Sequence, residues 1–240
     1  MPPRAGKLGI TALTAFNRLA LRIARPTHQV SAQAMRAGNK GWLRIIGGRY
    51  RGCRLSVPAQ PGLRPTADRV RETLFNWLQP VIVGSRCLDL FAGSGALGFE
   101  AASRSAAEVL MIDRSEPVTR VLAANARSLG AAQVRVHRAD ALHWLAGSGG
   151  PFDLVFLDPP FHEDLLAPSC TLLSGGGWLA SGALVYLEAP ANRALTGLPA
   201  DWTLIRDKRA GQVRFALAAV EPQKCNGPEG DSGKSLTGRG

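Results

Sequence analysis

The sequence predicts an α/β fold: a doubly wound, mostly parallel sheet with helices on both faces. Three observations carry this. An apolar strand runs into a glycine-rich turn and then a helix between residues 86 and 104, which is how the first turn of such a sheet is built. Further along, short apolar runs keep alternating with helical patterns, and strands joined by helices cross over right-handed into a parallel sheet. The 240 residues and 45% hydrophobic content suffice for one large α/β domain plus extensions.

Residues 1–40 read as an extension. Ile10 to Ala24 has the spacing of a short amphipathic helix, with Leu13, Phe16, Leu19 or Ala20, and Ile23 on one face. The segment bears arginine and no acid, as a mitochondrial targeting peptide does. A start site placed too far upstream in a bacterial chain explains it equally, and Met35 stands just ahead of the first firm strand. Residues 41–58 read as a β-hairpin about a Gly47-Gly48 turn. Thr66 then reads as the N-cap of a helix whose apolar face is Val70, Leu74 and Trp77, and Pro80 ends it.

The sheet strands follow in order. The first covers 86–91 and leads into a helix ending near Arg104. The second, Glu108 to Ile112, ends at Asp113, and Pro117 marks the start of a helix that stops at Leu129 with Gly130 as C-cap. The third is Gln133 to His137, followed by a short helix ending at Leu145. The fourth, Phe152 to Leu157, runs into Asp158-Pro159-Pro160-Phe161, and a helix over 163–173 is broken by Gly175 to Gly177. The fifth is Ala183 to Glu188, and Trp202–Lys208 with Gln212–Ala219 form a closing hairpin. Residues 221–240, with five glycines, two prolines and little that is apolar, read as a disordered tail.

The charge is unevenly placed. The net charge is +11, no Asp or Glu precedes Asp68, and twelve Lys and Arg lie in the stretch ending at Arg64. So one-sided a block points to a polyanionic partner, most often nucleic acid. Arg44, Arg49, Arg51 and Arg54 stud the hairpin, with Trp42 and Tyr50 between them. Guanidinium groups beside aromatic rings suit phosphate contact and base stacking. No apolar run reaches the ~18 residues of a membrane span. Cys53, Cys87, Cys170 and Cys225 form no C-x-x-C pair, and His28, His137, His143 and His162 show no ligand spacing. A metal site and a disulfide framework are therefore not expected, and a reducing, cytoplasmic setting is.

Gly93, Gly95 and Gly98 satisfy the G-x-G-x-x-G spacing of a dinucleotide site. Asp89, four residues before the first glycine, tips that reading. Asp89-Leu90-Phe91-Ala92-Gly93-Ser94-Gly95 resembles the first motif of class I S-adenosylmethionine methyltransferases, whose acidic residue sits near the methionine end of the cofactor. Asp113, ending the second strand, can accept both hydroxyls of a ribose, a role common to NAD and S-adenosylmethionine sites. Asp140 and Ala141 follow the third strand. The same resemblance sets that acid at the adenine amino group, while helix capping competes for it and both can hold at once. Two consecutive prolines after Asp158 supply carbonyls and no N–H, so the loop presents acceptors only, to which an incoming NH₂ can donate. Phe161 can stack on a flat base. The tetrapeptide resembles the motif of enzymes that methylate exocyclic amino groups of bases.

With these motifs placed, the run Leu43-Arg44-Ile45-Ile46-Gly47-Gly48, Arg51-Gly52, Leu55, Pro58, Arg64-Pro65-Thr66, Arg69-Val70-Arg71-Glu72 and Leu74-Phe75-Asn76 resembles the start of the RsmD family. These bacterial enzymes make N2-methylguanine in 16S ribosomal RNA. The resemblance covers residues 42–219, leaving out the 40-residue arm and the tail. It implies a Rossmann-like class I methyltransferase domain over 81–220, with a seven-stranded, mostly parallel sheet whose last strand is antiparallel. Residues 41–80 would be an RNA-binding hairpin and helix packed on that domain, with Arg44, Arg49, Arg51 and Arg54 facing RNA. Arg64, Thr66, Asp89, Phe91, Gly93, Gly95, Asp113, Asp140 and Ala141 would hold S-adenosylmethionine, with Arg64 and Thr66 near its methionine end. Asp158, Pro159, Pro160 and Phe161 would be catalytic. The implied partner is 16S rRNA or the small ribosomal subunit, met by a monomer.

Three rival readings remain open at this point. An adenine-N6 methyltransferase acting on DNA or RNA keeps the cofactor, because either amine can donate to the acceptor loop. A nucleic-acid-binding protein that has lost catalysis conflicts with the intact acceptor loop and glycines. An NAD-dependent dehydrogenase leaves Asp89, the acceptor loop and the basic arm unexplained.

Overall fold

The structure, a computed structural model, describes residues 41–57 and 67–221. The predicted arm over 1–40, the tail from 222 onward, and Pro58, Arg64 and Thr66 lie outside the described residues.

Strands β1 (Trp42–Arg44) and β2 (Arg54–Ser56) pair antiparallel, with Leu43 opposite Leu55. The hairpin is there, but Gly47-Gly48 is not a two-residue turn between the strands. Residues 45–53 form a longer loop, closed where the Ile45 N–H donates to the Cys53 carbonyl at 3.0 Å. Non-local partners explain the difference. The loop is drawn onto the helix that follows the glycine turn, and Gly48 rests against that helix's last carbonyl. Gly48 has φ +73°, and a Cβ there would stand 1.9 Å from the Ser103 carbonyl oxygen. The position therefore demands glycine twice over, by conformation and by space.

Helix α1 (Asp68–Leu78) begins one residue later than the sequence suggests, with Ala67 at the N-cap and no side-chain cap. Its buried face is Val70, Arg71, Leu74, Phe75 and Leu78. Trp77 sits on the flank, half-buried and stacked on Phe215 with centroids 5.4 Å apart. An apolar periodicity could not reveal Arg71 as a core residue. Its burial rests on partners: Asp68 at 2.6 Å, the Arg44 carbonyl at 3.0 Å, and the Glu100 carboxylate at 3.7 Å.

The main sheet is built from β3 (Arg86–Asp89), β4 (Glu108–Asp113), β5 (Val134–Arg138), β6 (Phe152–Leu157), β7 (Leu179–Pro190), β8 (Trp202–Ala210) and β9 (Val213–Val220). Its order is β5-β4-β3-β6-β7-β9-β8, and β9 pairs antiparallel with both neighbours. This is the predicted seven-stranded, mostly parallel sheet with an antiparallel last strand. The helices are α2 (Ala96–Ser103), α3 (Glu116–Leu129), α4 (Ala141–Leu145) and α5 (Leu166–Gly175). Gly130 caps α3 in the left-handed conformation, as its position after Leu129 predicts. Strand β3 stops at Asp89 rather than residue 91, because the chain turns into the glycine loop. Helix α5 starts at Leu166 rather than 163, because the acceptor loop extends through Leu165.

Two cores flank the sheet. On one face Cys87, Val109, Met111, Leu154, Phe156 and Tyr186 meet the hairpin, α1, α2 and α3. On the other, Leu88, Ile112, Val155, Leu157 and Leu187 meet α4 and α5. Because side chains alternate along a strand, Asp89, Asp113, Asp158 and Glu188 fall on the first face, at the carboxyl ends of four strands. No helix among the described residues is long and apolar enough to cross a membrane.

Candidate active site

The site lies where open α/β sheets hold ligands, outside the carboxyl ends of the strands. Asp89 ends β3 and is buried at 2% exposure. Its Oδ2 accepts the Gly98 N–H at 3.0 Å, tying the acid to the first turns of α2. A Cβ at Gly98 would crowd the Met111 methyl at 2.4 Å and Asp89 Oδ2 at 3.1 Å. Burial pushes the Asp89 carboxyl up to about 7; the Gly98 N–H opposes this, and the charges of Asp158 and Asp113 add to it.

Between Asp89 and α2 the chain turns through Gly93 (φ +49°) and Gly95 (φ +78°), the latter serving as N-cap of α2. Asp113 reaches over this loop from the end of β4. Its Oδ2 accepts the Gly93 N–H at 3.0 Å and its Oδ1 accepts the Ser115 N–H at 2.8 Å. Burial raises its carboxyl, and those two N–H groups hold it down. Phe91 is half-buried beside the loop. Asp140 caps α4, accepting the His143 N–H at 3.0 Å, so its capping role is real; Ala141 is buried behind it.

Asp158 and the prolines follow β6. Phe161 is exposed at the tip of this loop, at 37%. Behind it, Pro159, Pro160 and Phe161 line a cavity of about 160 Å³ together with Glu188 and Pro190 from the end of β7. Sequence reasoning missed Glu188. It is 5% exposed, and its Oε2 accepts the Tyr186 hydroxyl at 2.7 Å. Burial, then the charge of Asp158, push the Glu188 carboxyl up to about 8, against the Tyr186 hydrogen bond. Its only sequence signal was an acid ending an apolar strand. A larger hollow of about 380 Å³ lies at the opposite edge of the sheet, near Val83, Asp153 and Gly182, and contains none of these groups.

Taken together, Asp89, Asp113, Asp158 and Glu188 put carboxyls on one face of one sheet edge, and burial and mutual repulsion raise two of them strongly. Such an edge suits a ligand bearing positive charge and N–H donors. Among the described residues, no cluster of His, Cys, Asp and Glu has the arrangement to hold a metal ion.

The hairpin arginines Arg44, Arg49, Arg51 and Arg54 are all exposed, as is Trp42. Tyr50 is not: at 6% exposure it belongs to the core beneath the hairpin and cannot stack on a base. Its N–H donates to Ser103 Oγ at 2.9 Å, which turns the ring inward. The described histidines, His137, His143 and His162, are exposed, and Cys87 and Cys170 are buried with thiols pushed up to about 12 by burial.

Comparison with known proteins agrees with this geometry. Residues 43–219 match a family described as "Conserved hypothetical protein 95". The chain is 51% identical over 183 residues to the ribosomal RNA small subunit methyltransferase D of Escherichia coli K12, covering 76% of this chain and 92% of that one. It is 44% identical over 182 residues to the protein of the same name from Haemophilus influenzae, covering 74% and 94%. The solved structure of the Escherichia coli protein yhhF superposes with a TM-score of 0.73 at 49% identity, covering 76% of this chain and all of that one. The chain belongs to the ribosomal RNA small subunit methyltransferase D family of class I S-adenosylmethionine methyltransferases.

Proposed function

We propose that this chain transfers a methyl group from S-adenosylmethionine to the exocyclic N2 of one guanine in 16S rRNA. The observation that carries this is the acceptor loop Asp158-Pro159-Pro160-Phe161 standing beside the Asp89 carboxyl on the same face of the sheet edge. The relatives' name, ribosomal RNA small subunit methyltransferase D, supports the substrate class. The acceptor is the rRNA or the small subunit in the cytoplasm, and the protein acts as a monomer.

The cleft fits the cofactor on its own terms. A buried acid with a raised pKa gains from an ammonium, and Asp89 is such an acid. Gly93 turns the loop without a side chain, Gly95 is held to glycine by φ +78° and by Phe99 and Leu122, Asp113 suits ribose hydroxyls, and Asp140 and Ala141 suit the adenine end. The family resemblance assigns Arg64 and Thr66, which lie outside the described residues, to the methionine end. When bound, S-adenosylmethionine supplies an activated methyl on a sulfonium.

The remaining task is to aim a weak nucleophile, because the N2 lone pair is spread into the guanine ring. Asp158 and the Pro159 carbonyl accept the two N–H groups of N2, which favours a pyramidal nitrogen with its lone pair localised. These bonds strengthen as positive charge develops on the nitrogen, so they stabilise the transition state more than the ground state. Phe161 stacks on the extruded base and holds it in line. The proton leaves N2 after transfer, to Asp158 or to water. Arg44, Arg49, Arg51 and Arg54 hold the RNA backbone.

The test is incubation of the purified protein with unmethylated 16S rRNA, and with small subunits, in the presence of labelled S-adenosylmethionine. Nucleoside mass analysis should find N2-methylguanosine at one site. Label in N6-methyladenosine, or in no nucleoside, refutes the proposal.

A further inference from the structure

We infer that Glu188 reads the N1–H of the target guanine and thereby excludes adenine. This rests on the methyl-transfer reading above and deepens it. The acceptor loop by itself has no means of choosing a base, because the amine of either purine can donate to Asp158 and Pro159. What differs is the neighbour of that amine. In guanine N2 lies beside N1–H, a donor; in adenine N6 lies beside N1, an acceptor.

The geometry places an acceptor in the right place. Strands β6 and β7 pair in parallel with Leu157 opposite Leu187, so Asp158 and Glu188 follow side by side at the sheet edge. Both fall on the face that carries Phe156 and Tyr186. Glu188 lines the cavity behind the loop with Pro159, Pro160 and Phe161. Tyr186 donates to Oε2, which fixes the carboxyl against the floor.

Two carboxyls set side by side in a buried place repel when both are ionised. Burial raises the Glu188 carboxyl, and the charge of Asp158 adds to that rise. A guanine edge relieves the repulsion, because N1–H and N2–H₂ present donors in a row to the two acids. Above about pH 8, where Glu188 is ionised and accepts only, an adenine edge brings a lone pair at N1 against the second acid and leaves it without a donor. The second carboxyl therefore favours guanine through what it does to the wrong base as well as the right one.

The experiment uses a short 16S fragment carrying the guanine located by nucleoside mapping. A second fragment has 2,6-diaminopurine at that position, which keeps the 2-amino group but presents an acceptor at N1. Affinity is read by fluorescence anisotropy without cofactor, and single-turnover methylation is read with it, both at about pH 8.5 so that Glu188 is ionised. Wild-type protein should prefer guanine by about 10- to 100-fold, the size of a good base contact. Glu188→Gln should bind S-adenosylmethionine normally and lose or invert the preference, since its amide can donate to N1 of diaminopurine. Equal use of both fragments by the wild type overturns the inference, with no variant needed. So does a guanine preference unchanged in a folded Glu188→Gln protein. Failure of the wild type to methylate guanine at all refutes the methyl-transfer reading instead.

Discussion

The Glu100 carboxylate accepts the backbone N–H of Gly47 at 2.8 Å, across 53 residues of chain. Its Oε2 takes the Ile46 N–H at 2.9 Å, and Arg104 Nε donates to Oε1, the oxygen facing Gly47, from the next turn at 2.9 Å. Glu100 sits in α2, five residues beyond the Gly95 that opens the helix. One fully buried side chain therefore ties the arginine hairpin to the element that follows the cofactor loop. Arg71 of α1 closes the group from beneath.

Removing that anchor should loosen the hairpin and strand a charge. Glu100→Ala leaves Arg71 buried without its core counter-ion and leaves two loop N–H groups unpaired. Breaking a buried pair by removing one partner costs about 3–5 kcal/mol, and that loss is expected in urea unfolding. Proteolysis should then cut first within 45–53. A protein as stable as wild type would show that Glu100 anchors nothing.

RNA affinity should depend strongly on salt through the hairpin. Each phosphate neutralised adds about 0.9 to the slope of log affinity against log salt on a duplex, and about 0.7 on a single strand. Changing Arg44, Arg49, Arg51 and Arg54 together to alanine should flatten that slope by about 3 if all four contact phosphate. All four are exposed, so the fold should survive, which a melting curve checks. An unchanged slope puts the RNA elsewhere.

Asp158 and Gly93 should separate chemistry from cofactor binding. Asp158→Ala is expected to lower single-turnover methylation by about 10²–10³, as loss of one preorganised polar partner does. Its affinity for S-adenosylmethionine, measured by titration calorimetry, should hold. Gly93→Val should instead weaken S-adenosylmethionine binding, because the residue has φ +49° and would place a side chain at the loop meant for close approach. Parallel loss of both quantities in Asp158→Ala contradicts the assignment.

The free protein should lose stability as pH rises through the neutral range. Asp89 and Glu188 titrate near pH 4 when unfolded and at about 7 and about 8 when folded. Folded protein thus holds more protons between those values, so their contribution is complete below about pH 4 and falls away as pH climbs to 8. Glu188→Gln should flatten the upper part of that fall, seen as a smaller drop in Tm from pH 6 to pH 8.5 than in the wild type. A drop identical to wild type contradicts the burial of an ionisable Glu188.

The sequence by itself determined the order of the elements, the glycine turn and the acceptor loop. Those signals are local: a glycine, a pair of prolines or an apolar period acts on its own few residues, whatever the rest of the chain does. Asp89, Asp113, Asp140 and Asp158 were legible for the same reason, since each follows a strand and strand ends gather at one edge. Tertiary structure decided what depends on distant partners. It put Arg71 in the core because Glu100 waits there, turned Tyr50 inward because Ser103 holds its backbone, and drew Gly47 and Gly48 out of a tight turn onto α2. It also set Glu188 beside Asp158, because only the pairing register of β6 and β7 brings two acids 30 residues apart side by side at one sheet edge. Burial of a charge is a property of the neighbours it finds, and a chain read in one dimension does not contain them.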